Sequence, residues 1–172
     1  MSIRRFMSGP CRGCDERGVT AVEFALIAPV FMFVVMAIVE YSIFFFKVSH
    51  LKHVLYETSR TLQTGEIQRS DDPAAAFSAE YCSHVVVLRC ADVHFDVRAY
   101  TSFSDVYPLE PVFASDGVPT NFVFQPGGSS EISVLRVSTP HRFTTPLIAG
   151  VFGLGDEPAI IVGRSVVQNE PF

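Results

Sequence analysis

The chain has 172 residues, of which 48% are hydrophobic and 18% charged, and its formal net charge is −5. This balance argues against nucleic-acid binding, because nucleic acids are recognised by clustered Lys and Arg side chains. The mean hydropathy is +0.30, and one long apolar segment near the N-terminus accounts for much of it.

The first segment, residues 1–17, is basic and carries Cys11 and Cys14. No small-x-small cleavage site follows the apolar segment behind it, so it differs from an ordinary secretory signal. A zinc site would need two further ligands beside a Cys-x-x-Cys pair. We therefore interpret both cysteines as incidental residues of a leader, reduced if it stays in the cytoplasm.

The apolar segment that follows contains one ionisable residue between Phe24 and Phe46, namely Glu40. A helix over residues 24–46 is about 34 Å long, and the hydrocarbon core of a bilayer is about 30 Å thick. We therefore predict a transmembrane segment at about residues 24–46, with Glu40 near the far interface. Pro29 removes one helical hydrogen bond, which membrane helices tolerate.

Glu23 lies at the threshold of this segment, five residues after Gly18. One interpretation is a glutamate in the first helical turn, where the helix dipole favours it. The other is a carboxylate that pairs with a free α-amine, created by a cut after Gly18. Periodicity alone does not separate the two interpretations.

Residues 47–64 continue the helical pattern with an amphipathic face. The apolar and threonine positions of this face repeat at spacings of three and four, which is typical of a half-buried helix: Val48, Leu51, Leu55, Thr58 and Leu62. Gly65 is the predicted stop. We expect a helix over residues 19–64; an anchor followed by a separate helix fits the same periodicity.

The remainder, residues 65–172, is predicted to be a β-rich domain. Asp72 and Pro73 predict the cap and first turn of a short helix over residues 74–81. Residues 93–99 alternate between apolar and polar, which predicts a strand with His94 and Asp96 on its solvated face.

Two further strands are predicted at residues 131–137 and 159–167, and residues 138–140 should end the first of them. The fold class that follows is α+β. A long N-terminal helix, half transmembrane and half amphipathic, precedes a small antiparallel sheet of three or four strands.

Cys82 and Cys90 close a short loop. In an exported domain we favour a disulfide over two buried thiols, and such a bond stabilises a fold by about 2–3 kcal/mol in the loop-entropy model.

The sequence carries no common enzyme signature. The chain has no Gly-x-Ser-x-Gly, His-Glu-x-x-His or Cys₄ zinc spacing, and its histidines are scattered. We therefore predict no catalytic residue, no metal and no cofactor.

Three stretches resemble a known family. Residues 18–24 (Gly, four residues, Glu, then an aromatic) resemble the cleavage site of type IV prepilins of the Flp/Tad (tight adherence) class. Residues 17–31 are similar to the opening of TadE-like pseudopilins, and residues 168–172 to the ending of that family. The Thr-Pro-Leu element at residues 145–147 is a weaker likeness.

This resemblance implies a pilin-like fold and a minor pseudopilin, processed by a prepilin peptidase between Gly18 and Val19. Residues 1–18 would be the leader. Glu23, with Phe24 beside it, would neutralise the new α-amine of Val19. The implied helix–helix contacts in the membrane or filament involve Ala25, Leu26, Pro29 and Phe31.

The resemblance also implies partners and a location. The partners would be the prepilin peptidase, other Tad pilins and pseudopilins, the inner-membrane assembly platform and membrane lipid. The helix would cross the bacterial inner membrane once, with the N-terminus cytoplasmic and the β-rich domain periplasmic or on the pilus. The alternative is an uncleaved single-pass envelope scaffold or adhesion protein, which predicts an intact N-terminus and indifference to substitution of Gly18.

Overall fold

The computed structural model describes residues 16–106, 110–151, 153 and 156–172. Its helices are α1 (Glu16–Gln63), α2 (Pro73–His84) and α3 (Pro146–Val151), and its strands are β1 (His94–Tyr100), β2 (Ile132–His141) and β3 (Ala159–Gln168). Short 3₁₀ turns lie at Ile67–Arg69, Cys90–Asp92 and Phe103–Asp105. A long N-terminal helix followed by a small antiparallel sheet confirms the predicted α+β class.

The chain divides into two units within α1, at the step from Ile38 to Val39. The described part of the first unit is helix. The second unit holds the rest of α1 and all the other elements.

The sheet of the second unit has the order β1-β2-β3, with both pairs antiparallel. The prediction that residues 138–140 end the central strand is wrong, because β2 continues to His141 and Pro140 pairs with Ile160. The pairing of β1 with β2 ends at Ser138. Pro140 therefore lies where β2 has a neighbour on one side only, a position in which a strand accommodates the missing proline N–H.

The amphipathic half of α1 packs into the core of this unit. Leu51, Leu55 and Leu62 are each at most 1% exposed, in one cluster with Leu135 of the sheet. Gly163 of β3 lies beneath α1, where an added Cβ would be 2.6 Å from Leu51 Cδ2. Each buried leucine contributes about 1.5–3 kcal/mol, so this face joins helix and sheet.

Local capping signals determine where the helices begin and end. α1 ends at Gln63 and Gly65 has φ +75°. The Gly65 N–H donates to Leu62 O and the Glu66 N–H to Thr61 O, the two bonds of a Schellman motif. At the start of α2, Asp72 Oδ1 accepts hydrogen bonds from two backbone N–H groups at 3.0 and 3.1 Å.

Asp96 of β1 is buried, with an exposure of 1%, although the alternation of β1 predicts that it lies on a solvated face. Its Oδ1 accepts hydrogen bonds from Arg98 Nε and from the Val123 N–H, both at 3.0 Å, and its Oδ2 lies 3.1 Å from Arg136 Nη2. The loop segment around Val123 pairs with Val97 of β1 through two backbone hydrogen bonds, and this segment covers the face that carries Asp96. The prediction that Asp96 faces water is therefore wrong, whereas His94 is half-buried.

The C-terminal residues close the sheet onto the turn before β2. Asn169 is 3% exposed, and its Nδ2 donates to Gly127 O at 2.8 Å and Gly128 O at 2.9 Å. Its Oδ1 accepts a hydrogen bond from Ser133 Oγ at 3.2 Å. Asn169, which belongs to the family-like ending, thus donates hydrogen bonds to two backbone carbonyl groups of this turn.

Candidate helix-packing site

The first half of α1 presents large apolar side chains on its surface. Phe24 is 72% exposed, Leu26 71% and Val30 65%. The helix contains a stretch with a mean hydropathy of 2.6, none of which is buried, and by length and composition it is able to cross a membrane. Apolar surface in water costs about 25 cal/mol per Å², so lipid or other protein has to cover these residues.

The prepilin-like motif lies at the start of this helix. Gly18 and Val19 are helical and exposed, and a Cβ added at Gly18 would meet nothing within 4 Å. Glu23 is also exposed, four positions after Val19. Residues four apart share one face of a helix, so the Glu23 carboxylate lies on the same face as the backbone nitrogen that a cut after Gly18 would free.

The residues expected to make helix–helix contacts follow in the next two turns. All four lie on the exposed surface of α1: Ala25, Leu26, Pro29 and Phe31. The helix continues through Pro29. These side chains are therefore available to a neighbouring helix.

Glu40 belongs to the second unit and has a different environment. It is 8% exposed, and its carboxylate accepts hydrogen bonds from the backbone N–H groups of Thr144 and Thr145, the latter at 3.2 Å. The only ionisable residue in the apolar run thus connects α1 to the segment that leads into α3.

An aromatic cluster extends this contact along α1. The Phe44 ring lies 5.3 Å from the His141 ring and 5.6 Å from the Phe143 ring. Lys47 Nζ is 3.3 Å from His141 Nδ1. Burial, helped by the charge of Lys47, lowers the pKa of His141 below its usual 6.5, and the Glu40 carboxylate opposes this only in part. His141 is therefore neutral at physiological pH.

The same helix is similar to a known protein family. Residues 18–60 match the TadE-like protein family. The matched segment starts at the predicted cleavage site and covers both the exposed and the amphipathic part of α1. The match covers less than half of the chain. Comparisons with curated proteins and with solved structures gave no match.

Sequence reasoning missed the role of Glu40 at the centre of the TadE-like segment. Its partners Thr144 and Thr145 lie 104 and 105 positions away in the chain. One signal was present: a lone carboxylate in an apolar run needs donors, and residues 144–146, Thr-Thr-Pro, offer two backbone N–H groups ahead of a helix.

Behind the TadE-like segment, the structure joins Cys82 of α2 to Cys90 by a disulfide, with a Cα–Cα distance of 5.7 Å. This distance is typical of disulfides. Cys11 and Cys14 lie outside the described residues. Among the residues that the structure describes, His, Cys, Asp and Glu side chains form no group of three that is able to hold a metal ion.

Proposed function

We propose that the chain is a minor pseudopilin of a Tad pilus assembly system, cut by a prepilin peptidase between Gly18 and Val19. The observation that carries the proposal is that two features begin at the same position of one helix. The TadE-like match begins at residue 18, where the prepilin-like motif opens a helix whose apolar surface is exposed.

The surroundings of Gly18 support a peptidase that selects glycine. A glycine inside a helix costs about 0.5–1 kcal/mol relative to alanine. No neighbour within 4 Å would obstruct a Cβ here, and the backbone is helical. The fold therefore does not require glycine at this position. A peptidase cleft that binds the extended backbone closely would require it, because a side chain would obstruct the cleft.

The position of Glu23 supports its pairing with the new α-amine. After cleavage, Val19 and Glu23 are residues 1 and 5 of the same helix, so the two charges share one face. Between packed helices the carboxylate would also reach the amine of a neighbouring subunit. In a medium of low dielectric an unpaired charge is costly, so this pair would set the axial register of neighbouring helices.

The exposed surface of α1 would pack first against lipid and then against other pilins and pseudopilins. The protein would lie in the inner membrane with its leader in the cytoplasm and its β-rich domain in the periplasm or on the pilus. The disulfide between Cys82 and Cys90 fits an oxidising compartment. Its partners would be the peptidase, the pilins and the assembly platform, and its role would be structural.

The first experiment is the intact mass of the membrane-embedded protein from cells with and without the prepilin peptidase. We expect a start at Val19 only when the peptidase is present. Gly18→Leu should block the cut, whereas the matched control Ala21→Leu, at another exposed helical position, should be cut normally. A retained Met1 in peptidase-positive cells would favour the uncleaved envelope scaffold instead.

The second experiment separates processing from assembly. Glu23→Gln should still be cut, since the scissile bond is unchanged, but adherence or surface fibres should be lost. Glu57→Gln is the control, because Glu57 is an exposed glutamate on the same helix. Normal assembly by the Glu23→Gln variant would contradict the pairing.

A further inference from the structure

The connection between β2 and β3 is a long uncharged segment whose two ends are joined by a hydrogen bond. Residues 143–155 contain no ionisable side chain, although Arg142 and Asp156 flank them directly. The Arg142 guanidinium donates a hydrogen bond from Nη1 to Asp156 O at 2.8 Å. This bond brings the two ends of the connection together and leaves an uncharged segment between them.

The start of this connection is held on α1 at the end of the apolar run. Glu40 accepts the backbone N–H groups of Thr144 and Thr145, and the Phe143 ring lies 5.6 Å from the Phe44 ring. Buried or lipid-immersed backbone donors need acceptors, because no water is present there to accept their hydrogen bonds. The Glu40 carboxylate removes this cost for two donors where the connection enters α3.

Helix α3 has one packed and one open side. Ile148 is 6% exposed and Ala149 7%, whereas Leu147 is 62% exposed and Val151 77%. Leu147 and Val151 are four residues apart, so their side chains share one face of the helix. This face is apolar, and its position is set by the contacts with Glu40 and Phe44.

On α1 itself, aromatic side chains lie on the side not packed against this connection. Glu40, Phe44 and Lys47 face the connection or β2, while Tyr41 is 47% exposed and Phe45 56%. Exposed aromatics at the end of an apolar helix are typical of the interface between membrane and water.

We propose that the Leu147–Val151 face of α3 inserts into the lipid interface of the membrane. The proposal rests on the membrane span in the proposed function. The occupant is lipid because the uncharged connection is fixed where the apolar run ends and its entering backbone donors are satisfied. Arg142, exposed at the base, would face the phosphate headgroups.

This contact moves the span toward the N-terminus. With Glu40 and α3 at the interface, the membrane-crossing part of α1 becomes residues 18–39, about 33 Å of helix. The apolar run by itself predicts a span at about residues 24–46. Gly18 then lies at the cytoplasmic interface, where the cleavage motif has to meet its peptidase, and Glu23 lies about 7.5 Å further along the helix.

The chain contains no tryptophan, so one introduced tryptophan reports the depth of one position. Val151→Trp and Leu147→Trp test α3 in two independent variants. The matched control is Val86→Trp, because Val86 is also an exposed valine of the domain, at 84%. Each full-length variant is reconstituted into vesicles of phosphatidylethanolamine and phosphatidylglycerol with brominated acyl chains.

We expect several-fold stronger quenching by the brominated lipids, and a blue-shifted emission, at positions 147 and 151 than at position 86. A Val34→Trp variant reports the span itself. If lipid quenches the Val34→Trp variant while Leu147→Trp and Val151→Trp remain as open to aqueous iodide as Val86→Trp, this inference fails and the span stands. If lipid does not quench the Val34→Trp variant either, the span and this inference both fail.

A third result would also overturn the inference. In this result the Val151→Trp variant is shielded from iodide without being quenched by lipid, and the shielding increases with the ratio of protein to lipid. It would show that a second copy of the chain covers α3.

Discussion

The ring of Phe172 lies against the Cα of Gly65, at a distance that leaves no room for a Cβ on the glycine. The backbone of Gly65 has φ +75°, and the Glu170 N–H donates to Gln63 O at 2.8 Å. The Arg69 guanidinium lies 5.5 Å from the centre of the Phe172 ring. The last residues of the chain thus complete the C-terminal cap of α1.

Gly65→Ala should destabilise the domain by about 1–3 kcal/mol, because the φ angle is unfavourable for alanine and the new Cβ overlaps the ring. Urea unfolding of the full-length protein in detergent measures this loss. Gly128→Ala is the control, since its Cβ would meet only Glu131 Oε2 at 3.7 Å. Adding Phe172→Ala to Gly65→Ala should remove the overlap and leave the φ penalty; equal stability of Gly65→Ala and the parent would contradict the packing.

Asp96→Asn should destabilise the domain by about 3–5 kcal/mol, because it removes one charge from a buried ion pair. Arg136 is 5% exposed and would keep its charge beside a neutral amide. Asp92→Asn is the matched control in an exposed pair, where the Arg89 side chain is 85% exposed. There we expect a change below about 1 kcal/mol. Similar losses for the two variants would show that burial does not decide the effect.

Acidification should weaken the packing around His141. Its pKa is lowered in the folded protein by burial and by Lys47, so below pH 6.5 the unfolded chain binds a proton that the folded chain resists. The stability it contributes is present above pH 6.5 and is lost as the pH falls toward the lower folded pKa. His141→Phe should flatten this part of the profile between about pH 7.5 and pH 5.5. An unchanged slope in the variant would assign the acid sensitivity to other groups.

The double substitution Cys82→Ser with Cys90→Ser should lower the free energy of unfolding by about 2–3 kcal/mol, from the loop entropy restored to the unfolded chain. Reduction of the parent protein should produce the same loss. The double substitution of Cys11 and Cys14 by serine should change nothing, because both lie in the predicted leader. Free thiols at positions 82 and 90 in protein exported by cells would refute the bond.

Much of the architecture could be predicted because its signals are local. Asp72, Pro73 and Gly65 act on backbone groups within five positions, and the capping bonds observed are those these residues favour. The three predicted strands are present, since alternation of side chains is a local property of a strand. The exposed site of α1 belongs to this class too, because it is a property of one helix.

Asp96 shows where local signals end. Alternation predicts that it lies on the face opposite the core, because successive side chains of a strand point to opposite faces. Whether water or protein covers that face depends on the loop segment around Val123, about 27 positions later in the chain. The periodicity of β1 contains no information about that pairing. Its burial becomes favourable only once Arg98 and Arg136 supply the compensating charges.

The sequence by itself determined a long helix with an apolar first half, a cleavage-like motif at its start and a small antiparallel sheet, because periodicity and capping act over a few residues. Only the tertiary structure decided that Glu40 receives the N–H groups of Thr144 and Thr145 and that Phe172 closes the cap at Gly65. The physical reason is that a buried polar group and a close van der Waals contact depend on atoms more than a hundred positions away, which meet only when the chain has folded.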